Sequence, residues 1–262
     1  MSDVKDEVIR LAQKGYQEVV LTGIHLSSYG VDFKDSDHNL LSLIQSIHQV
    51  DGITRIRLGS LEPRIITEEF VQTLSGLWKV CPHFHLSLQS GCQETLERMN
   101  RRYTADEYRE KCQILRKYYE NPALTTDVIV GFPQESLEEF RESYEFVKEI
   151  QFYETHIFKY SRRKGTKADK MEGQIPEQEK TRRSEQMIAL GQERAFQYEN
   201  SFLGGKLDIL LEEEIQIDGK SYLTGHSREY IKAAVQAEGG WKINDCVCMI
   251  PERFLKDRLL TG

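Results

Sequence analysis

Long apolar runs are missing from this 262-residue sequence: the longest, such as Glu18-Val19-Val20-Leu21 and Asp127-Val128-Ile129-Val130, are far short of the roughly 20 residues a membrane helix requires. A membrane-spanning helix is thereby excluded, and no membrane partner is expected. Residues 1–6 have neither the apolar core of a signal peptide nor the arginine-rich look of a transit peptide, so a cytoplasmic location is expected. Cysteine is scarce. The five present (Cys81, Cys92, Cys112, Cys246 and Cys248) are odd in number and scattered, with no pair of CxxC knuckles and no three-cysteine cluster motif, which fits reduced thiols better than a disulfide scaffold. An excess of positive charge is also lacking. With 35 basic against 42 acidic residues the net charge is -7, which argues against broad, sequence-independent adhesion to nucleic acid but leaves room for a local basic patch. Only six prolines, beside 39% hydrophobic and 10% aromatic residues, exclude a disordered or low-complexity chain.

What is present, through residue 160, is an alternation of short β-branched or aromatic runs with longer helical patterns. Strands are expected over 18–23, 53–58, 83–88, 124–130 and 154–159. Val4, Val8, Leu11 and Ala12 fall on one stripe of a first helix. Thr104-Ala105-Asp106-Glu107 and Ser136-Leu137-Glu138-Glu139 are capping boxes, in which hydroxyl and carboxylate satisfy orphan backbone donors, so helices should start there. Strands separated by helix-length segments must pair in parallel through crossovers, because a hairpin cannot join parallel strands. The fold class is therefore α/β. Five strands are too few for a closed eight-stranded barrel, and the chain opens on a helix where a βα repeat opens on a strand, so a partial barrel is expected.

Beyond residue 175 the pattern changes. Residues 176–198 read as one long charged helix, with Met187, Leu190, Arg194 and Tyr198 along one face, broken by Gly204-Gly205. Short strands follow at 207–211, 230–235 and 246–250, with turns at Asp218-Gly219 and Gly239-Gly240, the spacing of a small antiparallel β-barrel that presents a face to nucleic acid. Cys246 and Cys248 are assigned to opposite sides of the last of these strands, and Cys112 to mid-helix. The expected domains are a partial barrel over 1–175, a linker helix over 176–204 and a small RNA-binding barrel over 205–262.

Four strands end in polar or glycine-bearing loops: Thr22-Gly23-Ile24-His25, Gly59-Ser60-Leu61-Glu62-Pro63, Gln89-Ser90-Gly91 and Gly131-Phe132-Pro133. Carboxyl strand ends are where parallel α/β sheets bind ligands, since the loops there offer free backbone donors. No Ser-His-Asp set or close carboxylate pair in these loops supports ordinary polar catalysis of the TIM-barrel kind. The seven histidines show no metal-ligand spacing, so His83 and His85 are expected to be packing residues, and no metal site is assigned.

The runs Leu21-Thr22-Gly23-Ile24-His25-Leu26, Met99-Asn100-Arg101-Arg102-Tyr103-Thr104, Asp127-Val128-Ile129-Val130-Gly131-Phe132-Pro133 and Tyr160-Ser161-Arg162-Arg163-Lys164-Gly165-Thr166, with the segment 86–91, carry a resemblance. In unbroken order they resemble the radical S-adenosylmethionine (SAM) tRNA methylthiotransferases, above all the MtaB-type branch, which methylthiolates threonylcarbamoyladenosine beside the anticodon. Gly225-His226-Ser227-Arg228-Glu229-Tyr230-Ile231 is similar to the signature of that family's C-terminal TRAM barrel. The resemblance implies an N-terminal cluster domain, a partial (β/α) radical SAM barrel and a TRAM-like barrel holding the tRNA anticodon stem-loop. It implies SAM and 4Fe-4S clusters as cofactors.

The N-terminal domain, the first barrel strand and the CxxxCxxC loop have no counterpart in this sequence. The cysteines that remain are not expected to hold a cluster, because one needs converging thiolates, so the chain alone is expected to be inactive. A strand 18–23 short of its neighbour should present an open edge through which copies associate. By the resemblance, SAM would meet Thr22 and Gly23 at its amino end, Ser60 and Glu62 beside them, Gln89 and Ser90 further along, Arg101 at the carboxylate, and Asp127 and Gly131 near the nucleoside. An arginine fork matches both carboxylate oxygens. Arg162, Arg163, Lys164, Arg182 and Arg183 would meet RNA phosphates, with Tyr160 or Tyr230 available to stack a base. The alternative is an RNA-binding module without catalysis.

Overall fold

The computed structural model describes residues 1–32, 38–256 and 259–262. In chain order the elements are α1 (Ser2–Gln13), β1 (Glu18–Leu21), α2 (Leu40–His48), β2 (Arg55–Leu58), α3 (Glu68–Ser75) and β3 (His83–His85). Then come α4 (Gln93–Arg98), α5 (Ala105–Tyr118), β4 (Ala123–Val130), α6 (Leu137–Ile150), β5 (Glu154–Lys159) and α7 (Glu177–Asn200). The chain ends with β6 (Leu207–Ile217), β7 (Lys220–Ser227), β8 (Lys232–Gln236), β9 (Cys246–Met249), β10 (Arg253–Phe254) and β11 (Leu260–Thr261). It divides into two compact units, one of Met1–Gly59, Thr73–His83 and Phe196–Gly262, the other of Ser60–Gln72 and Phe84–Ala195. These cut across the sequence segments 1–175, 176–204 and 205–262, because the early strands and the C-terminal sheet fall in one unit.

In the second unit β3, β4 and β5 form a parallel sheet, as the helix-length spacers require. Alternation along β4 separates two faces. Leu124, Thr126, Val128 and Val130 are buried with Phe84 and Leu86, whereas Asp127 and Ile129 stay partly open on the other side. The Tyr108 hydroxyl of α5 caps the covered face, donating to the Leu86 carbonyl at 2.7 Å, and the Tyr108 ring meets Phe146 of α6 edge-on at 6.2 Å. Both expected capping boxes close. Glu107 N–H donates to Thr104 Oγ1 at 3.0 Å and Glu139 N–H to Ser136 Oγ at 3.1 Å, with each carboxylate accepting the N-cap N–H in return. The strand expected over 83–88 stops at His85. Beyond it the chain hooks to its neighbours singly, through Leu61–Leu86 and Gln89–Val128 bridges, and Gln89 takes a left-handed φ of 72°.

In the first unit β1 and β2 pair in parallel, and a six-stranded sheet runs β10-β11-β8-β7-β6-β9. Arg55 and Arg57, both 3% exposed, join the two sheets. Arg57 donates to the Glu18 carboxylate at 2.8 Å and to the carbonyls of Ser227 and Arg228, and Arg55 to the carbonyls of Asp208 and His226. Strand β7, unexpected from its polar residues, pairs along β6 from the Asp218-Gly219 turn, where both residues have positive φ. Gly225 lies on β7 so close to β6 that a Cβ would stand 1.7 Å from the Leu210 carbonyl oxygen. Tyr230, expected in a strand, sits in the turn before β8 with φ of 68°. Cys246 and Cys248 share the exposed face of β9 rather than opposite faces, because side chains two apart on a strand point the same way. Among the described residues no helix is long and apolar enough to cross a membrane.

Candidate functional site

Within the second unit the carboxyl ends of β4 and β5 border a hollow of about 590 Å³, whose lining includes Gln89, Arg101, Asp127, Phe132, Tyr160 and Arg163. Each arrives by a different local device. Gln89 is turned there by its left-handed backbone, and Arg101 follows the end of α4, its N–H bonded to the Leu96 carbonyl at 2.9 Å. Asp127 points off the open face of β4. Its carboxylate faces His85 Nε2 at 3.2 Å, and that hydrogen bond holds the Asp127 carboxyl below its ordinary range against the opposing effect of burial. Phe132 meets the Tyr160 ring edge-on at 5.2 Å, giving the hollow an aromatic wall. Arg101 also borders a smaller cleft of about 290 Å³ with Glu62, Arg64, Ser87 and Tyr103. The Tyr103 hydroxyl sits 2.8 Å from the carbonyls of both Ser87 and Leu88, and burial pushes it up to about 12.

The remaining expected cofactor contacts are distributed differently. Glu62 borders the smaller cleft, and Ser60, exposed, lies 3.1 Å from the Ser87 hydroxyl. Ser90 is fully buried and accepts from the Cys92 N–H, so it serves the start of α4. Gly131 is roofed rather than open: its N–H donates to the Glu135 carboxylate at 2.7 Å, and a Cβ there would stand 2.4 Å from Lys180 Cγ. Thr22 and Gly23, exposed at the end of β1, belong to the other unit.

Of the basic residues expected to meet RNA, Arg163 and Tyr160 border the hollow and Lys164 is exposed. Arg162 donates to the Asp169 side chain and carbonyl, and Arg182 to Glu179 at 2.7 Å. Arg183 is withdrawn from the surface. At 4% exposure its guanidinium is held by the Glu135 carboxylate at 2.6 Å and by Glu179 at 2.8 Å, so it packs α7 and cannot reach a phosphate. In the first unit Tyr230, 40% exposed, stacks on His226 with centroids 4.4 Å apart and lies 4.8 Å from the Arg57 guanidinium. Sequence reasoning passed over His156. It faces Asp127 only through the β4–β5 register, a long-range pairing without local signature.

Among the described residues, two groups of potential ligand atoms converge: His85, Asp127 and His156, and Cys92, Glu94 and Glu142. Neither is a three-thiolate set. Cys92 is moreover pushed up to about 12, first by burial, which disfavours its thiolate. Among the described residues no side-chain group therefore offers the converging thiolates that hold a four-iron cluster. The side chains around the hollow do fit part of a nucleoside amino acid, with an arginine, an ionised carboxylate and an aromatic wall.

A parallel sheet with a ligand-sized hollow at its carboxyl strand ends defines an α/β protein of the class that binds ligands at those ends. The model of the Radical SAM superfamily matches residues 1–147, and the chain belongs to that superfamily. It is 40% identical over 233 residues to threonylcarbamoyladenosine tRNA methylthiotransferase MtaB of Bacillus subtilis, covering 87% of this chain and 51% of that protein. It is 37% identical over 231 residues to tRNA-2-methylthio-N(6)-dimethylallyladenosine synthase of Thermodesulfovibrio yellowstonii, covering 87% and 51%. The chain spans about half the length of these relatives. Coproporphyrinogen III oxidase (HemN) of Escherichia coli, a radical SAM enzyme, shares the fold with a TM-score of 0.57 at 15% identity, over 74% of this chain and 45% of that one.

Proposed function

We propose that this chain is the C-terminal portion of a tRNA methylthiotransferase that acts on threonylcarbamoyladenosine next to the anticodon, holding SAM in the hollow between Gln89, Arg101, Asp127 and Tyr160. The observation that carries the reading is the 40% identity to the Bacillus subtilis enzyme over 87% of the chain, combined with convergence of motif residues on one hollow. Bound SAM would supply the activated sulfonium chemistry of the superfamily. The chain's own residues would bind and orient it: Arg101 would offer a two-pronged donor to the carboxylate, and Asp127, kept ionised by His85, would accept from hydroxyl groups. No radical step is assigned to the chain by itself, since no three thiolates converge among its described residues, and alone it should be catalytically silent.

Equilibrium binding tests the site. SAM should bind the chain measurably, and Arg101→Ala should weaken it about tenfold or more, the loss of a charge-assisted hydrogen-bond pair. Equal affinity in parent and variant would refute the assignment. The second reading, an RNA-binding module without catalysis, is favoured by the exposed Tyr230 stacked on His226. It predicts tight anticodon stem-loop binding with no SAM binding. On either reading Arg163→Ala should reduce the slope of RNA affinity against salt by about one.

A further inference from the structure

We infer that His85, Asp127 and His156 form a binding site for one divalent first-row transition-metal ion. The inference requires only these three side chains; it shares Asp127 with the hollow proposed above for SAM, so metal binding is read without SAM present.

The donor atoms of the three residues lie within 4.8 Å of one another. Two donors on a tetrahedral ion at the usual metal–nitrogen and metal–oxygen lengths sit about 3.4 Å apart. His85 Nε2 and Asp127 Oδ2, at 3.2 Å, already nearly meet that spacing. The third donor belongs to an exposed ring, stacked against His85 at 5.9 Å, and closing from at most 4.8 Å to about 3.4 Å needs only side-chain rotation. Rigid strands set the positions: Asp127 and His156 are register partners on β4 and β5, and His85 ends β3 on the other side of β4.

The surroundings match a ligand set as well. His85 Nδ1 lies 3.0 Å from Thr125 Oγ1, an outer partner of the kind that fixes ring orientation and aims the other nitrogen at a metal. With Nδ1 turned to Thr125, His85 Nε2 and the nearest Asp127 oxygen point at each other across 3.2 Å, a ready pair of donor atoms for one shared cation. Two imidazoles and one carboxylate carry a single negative charge, and nitrogen donors select zinc-, cobalt-, nickel- or iron-type ions over calcium and magnesium. The hollow beside Asp127 leaves remaining coordination positions for water or ligand.

Cobalt(II) titration of the full 262-residue chain tests this, with Cys246→Ser and Cys248→Ser in the background because those exposed thiols share one strand face and are a rival site. Visible ligand-field bands should saturate at one ion per chain. Asp127→Asn and His156→Ala should each weaken binding at least about tenfold, and His226→Ala, in the other unit, should leave it unchanged. His156 is exposed, so its truncation leaves packing intact, and circular dichroism checks the fold of both variants. Absence of bands, or bands that persist unchanged in both variants, would overturn the inference and leave His85–Asp127 as an ordinary hydrogen-bonded pair.

Discussion

Glu135→Ala should destabilise the second unit by about 3 kcal/mol, at the lower end of the roughly 3–5 kcal/mol that removing one partner of a buried ion pair costs. The structure sets that magnitude. Glu135 is 2% exposed, and its carboxylate accepts from Arg183 at 2.6 Å and from the Gly131 N–H at 2.7 Å. Truncation leaves the Gly131 N–H buried without a partner and strips Arg183 of one anion. Arg183 still retains Glu179 and the Glu135 carbonyl, which limits the loss. With a urea slope of about 1–3 kcal/mol/M, the midpoint should fall by roughly 1–3 M, read by circular dichroism because both tryptophans, Trp78 and Trp241, lie in the other unit.

The pair should be less valuable than either half is dangerous. Burial raises the Glu135 carboxyl above its ordinary range despite the Arg183 and Gly131 hydrogen bonds, so desolvation outweighs attraction at the glutamate. Glu135→Leu with Arg183→Met should therefore lie closer to the parent than Glu135→Ala does, losing about 1 kcal/mol for the orphaned Gly131 donor. A Glu135→Ala chain within about 0.5 kcal/mol of the parent, or a double variant worse than the single one, would refute the reasoning.

Thiol labelling of the native chain should modify Cys246 and Cys248 first, leaving Cys81, Cys92 and Cys112 protected, since burial raises all three and the last two reach about 12. Uniform labelling in native buffer would contradict the burial pattern. Glu179 is held down to about 2 by hydrogen bonds from Arg182 and then Arg183. A depressed carboxyl stabilises above its unfolded value, near 4.5, and the contribution disappears as pH falls toward about 2. Hydrogen exchange at the start of α7 should accelerate across that window, modestly because the site is solvated, and Glu179→Gln should flatten the response. Gly225→Ala should cost roughly 3 kcal/mol or more in chemical unfolding, because its Cβ would fall 1.7 Å from a backbone oxygen that cannot step aside. Sedimentation should show association through β1, which among the described residues pairs only with β2 and leaves Val20 52% exposed.

Much of this molecule was written locally. The capping boxes at Thr104 and Ser136, the stripe of α1 that buries Val8, the β5 limits and the Asp218-Gly219 turn depend on residues within about four positions of one another, so the sequence alone determined them. The parallel class followed from spacer length, and the motif order pointed to the superfamily. Tertiary structure decided the rest. Arg183 reads as an RNA-phosphate contact until α7 lays it against Glu135, and nothing local marks Arg55 and Arg57 for burial beneath carbonyls of the C-terminal sheet. His85 reads as packing until the register of β3, β4 and β5 sets it beside Asp127 and His156. Burial and register are fixed by contacts between residues far apart along the chain, whose energies have no footprint in a short window, whereas caps and turns are complete within one.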